Sequence, residues 1–122
     1  MEDGILIIKS KAFAIRSIKL YKYLCEEKKE YILSKQLLRS GTSIGANIRE
    51  AAFAQSANDF ISKMSISLKE ASETHYWLEL LHETSYITNV EADSMKKDCM
   101  ELLKIIQASV ITAKSNKEKL KQ

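Results

Sequence analysis

The chain has 122 residues, 45% of them apolar, with no proline and only three glycines. That is the length of one domain with enough apolar material for a core. It lacks the turn punctuation an all-β chain needs roughly every 8–12 residues. Nineteen basic and sixteen acidic residues leave a formal charge of +3, milder than a dedicated duplex-DNA binder usually carries. Cys25 and Cys99 are too few for a disulfide framework and have no metal-motif spacing, so a reduced, cytoplasmic chain is expected. The apolar run at residues 5–8 is too short for a signal-peptide core or a membrane span.

Four amphipathic helices are predicted. The first covers about residues 5–25, with Ile8, Ala12, Ile15, Ile18 and Cys25 at helical spacing as its core face. Lys9, Arg16, Lys19 and Lys22 form a basic side. The polar run at residues 26–30 reads as a loop or frayed end. The second helix covers about residues 31–54, with Leu37, Ile44, Ile48 and Ala51 on one face.

The third starts near Ser56, where Ser56 and Asp59 have capping-box spacing. It continues through Phe60, Met64, Leu68, Ala71, His75, Leu78 and Leu81 to about residue 84. The fourth starts near Thr88, where Thr88 and Glu91 repeat that spacing. Met95, Cys99, Leu102, Ile106, Ser109 and Ala113 then alternate by four and three residues, as a bundle seam does. The basic tail, residues 114–122, reads as a fraying helix end. Short connections make neighbouring helices antiparallel, so residues 1–122 are expected to form a single all-α domain, an up-down-up-down four-helix bundle.

The second helix carries the densest information. At 3.6 residues per turn, Arg39, Ser43, Asn47 and Glu50 form a polar ladder. Gly41, Gly45 and Ala52 form a strip of small residues on the other flank of the apolar stripe. Glycine inside a helix costs roughly 1 kcal/mol relative to alanine, so two of them imply a closely approaching neighbour. If helices two and three fold back around residues 54–57, facing residues have numbers summing to about 110–113. Arg39 then stands level with Glu70 and Glu73, and Glu50 with Lys63. The ladder is expected to pair with these three residues, within one chain or across an interface, fixing register more than adding energy. Ile66 and Trp77 lie off the main stripe of the third helix. They make it apolar on two sides, which favours burial by another subunit.

Catalytic and metal readings are weak. Glu79-Leu-Leu-His82 resembles one element of a di-iron bundle, but no second copy exists and the other three helices hold no histidine. His75, Glu79 and His82 share one face, where packing at the core edge outweighs metal binding. Gly41 and Gly45 lack the Lys-Ser/Thr of a phosphate loop. No catalytic residue, metal or cofactor is expected, and the chain does not read as an enzyme.

The stretch Leu38-Arg39-Ser40, Ser43-Ile44, Asn47-Ile48 and Glu50-Ala51 resembles the four helix bundle protein family. That group is related to proteins encoded by intervening sequences in bacterial 23S ribosomal RNA genes, also labelled S23 ribosomal proteins. Phe60, Lys63, Ile66 and the run Lys69-Glu70-Ala71-Ser72-Glu73-Thr74, followed by Tyr76-Trp77-Leu78-Glu79-Leu80-Leu81, resemble the family's third helix. His75 departs from the polar or acidic residue common there. The resemblance implies an antiparallel bundle and a ring-like homo-oligomer, a pentamer. Related accessory proteins of diversity-generating retroelements bind nucleic acid through a basic surface.

RNA or DNA binding is therefore the functional expectation by analogy of fold. Its candidate residues are Lys9, Arg16, Lys19 and Lys22, Arg49, and Lys114, Lys117, Lys119 and Lys121. Tyr21 and Tyr23 are the only stacking aromatics nearby, so sequence-specific recognition is not expected. The alternative is a structural or scaffolding oligomer that binds another protein.

Overall fold

The computed structural model describes the backbone of residues 2–121 and the side chains of residues 4–120. It contains four helices: α1 (Glu2–Glu26), α2 (Leu33–Ala52), α3 (Ala57–Glu83) and α4 (Asn89–Lys121). Each is packed on the next, and α1 closes the bundle against α4. The side-chain contacts give the directions. Ser10 lies against Gly45 and Ser17 against Gly41. Glu50 pairs with Lys63 and Arg39 with Glu73. Lys9 pairs with Glu101 and Arg16 with Asp98. In each case the numbers rise on one helix as they fall on the other, so these neighbours are antiparallel.

The core is a continuous column from Leu6, Phe13 and Leu24 of α1 through Leu37 and Ile44 of α2 and Met64 and Leu78 of α3 to Cys99, Leu102 and Ile106 of α4. Burial raises the pKa of the Cys99 thiol to about 12, with the Asp98 charge adding to the effect. It is a small core hydrophobe, not a nucleophile.

The face of α1 differs from the sequence expectation. Ile8, Ala12, Ile15 and Ile18 are exposed. The buried face is Leu6, Ser10, Phe13, Ser17, Leu20 and Leu24. Apolar residues occupy two sides of this helix, and two serines interrupt the side that packs. Those serines are buried because they are small. A Cβ built on Gly41 would stand 2.8 Å from Ser17 Cβ, and one on Gly45 would stand 3.1 Å from Ser10 Oγ. Larger residues at either side would hold the helices apart, so the glycine strip and the serines together set the α1–α2 spacing. Ser17 satisfies its own hydroxyl by donating to Phe13 O, and Ser10 donates to Ile7 O.

The α1–α2 connection also carries structure where a loop or frayed end was expected. Lys29 adopts a left-handed φ of 55°, ending α1 without a glycine. The buried Glu30 then turns its carboxylate onto the start of α2. It accepts from the backbone N–H groups of Ile32, Leu33 and Ser34 at 3.0, 2.8 and 2.7 Å. These are orphan donors of the first helical turn. Burial alone would raise the carboxyl's pKa, but the three N–H bonds outweigh it and hold the group below its ordinary value. Helices α3 and α4 start with the expected caps, Ser56 Oγ accepting from Asp59 N, and Thr88 with Glu91 in a reciprocal box.

At 1.5 Å per residue, the 33 residues of α4 make it about 50 Å long, against about 37 Å for the 25 residues of α1. Its last buried residue is Val110. Residues beyond it extend past the start of α1 as a largely exposed helical overhang, so the basic tail is helical through Lys121.

Candidate nucleic-acid interface

The polar ladder of α2 is an internal register device. Arg39 bridges two acids of α3, reaching Glu70 at 3.3 Å and also bonding Glu73. Trp77 Nε1 donates to the same Glu73 carboxylate at 3.2 Å. The indole packs against the core and its polar edge closes an Arg39–Glu73–Trp77 network. Glu50 pairs with Lys63 at 3.2 Å. The two middle rungs do not cross to α3. Ser43 donates to Arg39 O and Asn47 to Ser43 O, each four residues back along α2.

Two buried bonds that the ladder did not include run alongside it. Ser67 donates to Ile44 O, and Thr74 donates to Ser40 Oγ, both at 2.8 Å. Their signal in sequence is only a small hydroxyl residue on an apolar stripe. Ile66 remains 40% exposed on α3, with Tyr76 at 53%. The two histidines lie at the core edge. His75 bonds Glu79 on its own helix, while His82 lies between Asn89 and Lys96 of α4. Among the described residues no cluster of three metal-ligating side chains is formed.

The nine basic candidates do not form one patch. Lys9 and Arg16 face α4 and are neutralised there. Lys9 bonds Glu101 at 2.5 Å, and Arg16 bonds Asp98 at 2.5 Å and Ser94 Oγ at 2.9 Å. Lys19 and Lys22 are exposed near the other end of α1, with no partner among the described residues. Arg49 is different. It lines a groove of about 280 Å³ between α1 and α2 with Lys11, over a floor of Ser10, Ala14, Thr42, Gly45 and Ala46. Neither cation has an acidic partner among the described residues. Lys11 was absent from the sequence candidates because it lies beyond the basic arc read on α1. Only the position of α2 shows that it shares a groove with Arg49.

Antiparallel packing puts this groove between the middle of the bundle and the end where α1 begins, α2 ends and α4 overhangs. Lys114, Lys117 and Lys119 are on that overhang, with Lys114 and Lys119 exposed and Lys117 partly so. The side chain of Lys121 lies outside the described residues. Of the acids near this end, Glu50 and Glu101 are held by Lys63 and Lys9, and Glu118 stands on the overhang itself between Lys117 and Lys119.

These features define a class, the antiparallel helical bundles in which polar side chains set helix register and a basic end faces solvent. The profile of the 23S rRNA-intervening sequence protein family matches residues 2–108, and the chain belongs to that family. A crystal structure of a protein of unknown function from the S23 ribosomal protein family of Bacteroides thetaiotaomicron superposes with a TM-score of 0.89. It is 54% identical over 90% of this chain and 98% of its own. No curated protein matches the chain. The overhang lies beyond the residues the family profile covers, and no helix among the described residues is long and apolar enough to cross a membrane.

Proposed function

We propose that this protein is a non-enzymatic, cytoplasmic homo-oligomer that binds the phosphate backbone of structured RNA or DNA through its basic end. The observation that supports this reading is the division of the cations. Lys9 and Arg16 are paired with α4. Lys11 and Arg49 share one groove without an acidic partner among the described residues, on the half of the bundle from which the overhang with Lys114, Lys117 and Lys119 extends. Lys19 and Lys22, also unpaired among the described residues, lie toward the other end of α1. Phosphate contacts of this kind give affinity without sequence preference. An oligomer multiplies them by its subunit number, and five is the number the family resemblance implies.

The test is binding of the full chain to a structured RNA hairpin across a salt series. The observed affinity should fall steeply with salt. Replacing Lys11 and Arg49 by glutamine should reduce the log–log slope by about two, one for each lost phosphate contact. A weak response that stays flat from low to high salt overturns the reading.

A second reading, assembly with a protein partner as a scaffold, draws on one observation. Ile8, Ile15 and Ile18 stand 71%, 45% and 38% exposed, on a seam with Lys11 and Lys22 spaced by three and four residues. Such a ridge is a helix-packing surface without its helix. Ile15→Glu separates the two readings. Loss of self-association with RNA binding retained per subunit supports the ridge as a contact between copies. Unchanged mass by light scattering removes it as one.

A further inference from the structure

Three helix seams of this bundle contain buried interhelical hydrogen bonds or serine–glycine contacts, and among the described residues the fourth contains none. Ser10 and Ser17 lie on glycines between α1 and α2. Ser67 and Thr74 bond α2 from α3, and Cys99 donates to Ala71 O between α3 and α4. Between α1 and α4, the hydrogen bonds among the described residues are those of Lys9 and Arg16, all exposed. Two clefts open to solvent run along this seam. A cavity of about 210 Å³ lies by Lys9, Phe13 and Leu102, and one of about 290 Å³ lies by Lys19, Leu20, Tyr23, Ile87 and Met95.

The larger cavity has the composition of a small-ligand site. Leu20, Ile87 and Met95 give it an apolar floor. Of the four polar groups around it, two are committed to the fold. Arg16 is held by Asp98 and Ser94, and Glu91 accepts from the Thr88 N–H and hydroxyl as the cap of α4. Lys19 and the Tyr23 hydroxyl have no partner among the described residues. One unpaired ammonium and one unpaired phenolic hydroxyl, on a ring whose centroid lies 6.0 Å from Lys28 Nζ, stand beside an apolar floor and match a ligand with an apolar body and a single anionic head. A volume of about 290 Å³ stands at the lower limit of ligand pockets, so the body is small.

We propose that the α1–α4 cleft binds a small amphipathic carboxylate, a medium-chain or arylalkyl acid. Its chain lies on Leu20, Ile87 and Met95 and its head group is held by Lys19 and Tyr23. This site is separate from the basic end and does not depend on nucleic-acid binding.

The test uses the full chain with ¹³C-labelled methionine and isoleucine methyl groups, titrated with octanoate and separately with 1-octanol. Octanoate should give saturable shifts at the Met95 and Ile87 methyls, with 1-octanol binding more weakly. Lys19→Gln is exposed and should fold normally. It should weaken octanoate up to about fivefold, the size expected for one exposed ion pair, and leave octanol unchanged. The proposal is overturned if those methyls show no saturable shift, if octanol binds as well as octanoate, or if Lys19→Gln does not alter octanoate binding.

Discussion

Helix α1 meets its two neighbours in opposite ways. Against α2 it presents serines to glycines, and the two backbones approach closely enough that no extra atom fits at Gly41. Against α4 it presents Lys9 and Arg16 to Glu101 and Asp98, with open clefts beside them. Dispersion and shape hold one seam, and neither fades with salt. Exposed charge holds much of the other, and such pairs give about 0–1 kcal/mol each and are screened. The first seam should therefore be rigid and intolerant of added volume. The second should be the side on which α1 can move.

The largest expected effect is at Gly41. Alanine there gains roughly 1 kcal/mol of helix propensity. Its Cβ would meet Ser17 Cβ at 2.8 Å, and a Cβ cannot rotate away as a side-chain tip can. Overpacking costs about 1–3 kcal/mol, and a contact this short belongs at the upper end, so Gly41→Ala should lose up to about 2 kcal/mol on balance. Chemical denaturation measures it. If Gly41→Ala is as stable as the parent, the two seams do not differ in the way described.

Glu30 comes next, because it fixes where α2 starts beside α1. Glu30→Gln replaces a charged acceptor of three N–H bonds by a neutral one and should cost about 1 kcal/mol near neutral pH. The native pKa is lowered, so the unfolded chain takes up the proton first as pH falls. The stabilisation is therefore fully present above the unfolded glutamate value, about 4.3. It is lost as pH falls through the lower native value. Urea midpoints of parent and variant should differ at pH 7 and converge only as the pH is taken below the unfolded value and through the lowered native one. A gap that stays constant with pH would show that Glu30 acts by shape and not by charge.

These two sites also show what was legible in the sequence. Register on the α2–α3 side was readable because charge is explicit. Numbers summing to about 110–113 put Arg39 level with Glu70 and Glu73, and the structure has it bonded to both. The close approach at Gly41 and Gly45 was readable because glycine inside a helix costs stability. The packing face of α1 was not readable. Hydrophobic periodicity weights isoleucine over serine, and here the serines are inside while Ile8, Ile15 and Ile18 are outside. The reason lies on the partner helix, since only a glycine strip opposite makes a serine the residue that fits. The Glu30 cap was hidden for a similar reason. One acid in a charged run has no pattern until the chain turns back on it. The Lys11–Arg49 groove is likewise a product of two helices and belongs to neither sequence alone.

The α4 side should respond weakly. Asp98→Asn leaves Arg16 its contact with Ser94 Oγ and removes one exposed pair. A loss below about 1 kcal/mol is expected, shrinking further in high salt. Thermal unfolding at two salt concentrations checks it. A loss above about 2 kcal/mol, insensitive to salt, would mean that this seam also depends on a pair shielded from solvent.

Gly45→Ala should have the smallest effect, and it tests whether the tight seam is uniform. The new Cβ would lie 3.1 Å from Ser10 Oγ and 3.4 Å from Ser10 Cβ. The nearest atom is a hydroxyl that can rotate, and its present bond to Ile7 O is long at 3.3 Å. The propensity gain of roughly 1 kcal/mol and the crowding cost are then nearly equal, for a net change within about 0.5 kcal/mol of zero. A loss as large as that at Gly41 would make the seam equally tight along its length. A clear gain would mean that α1 can recede at its first half, so that Ser17 against Gly41 is the single point at which the two backbones are locked.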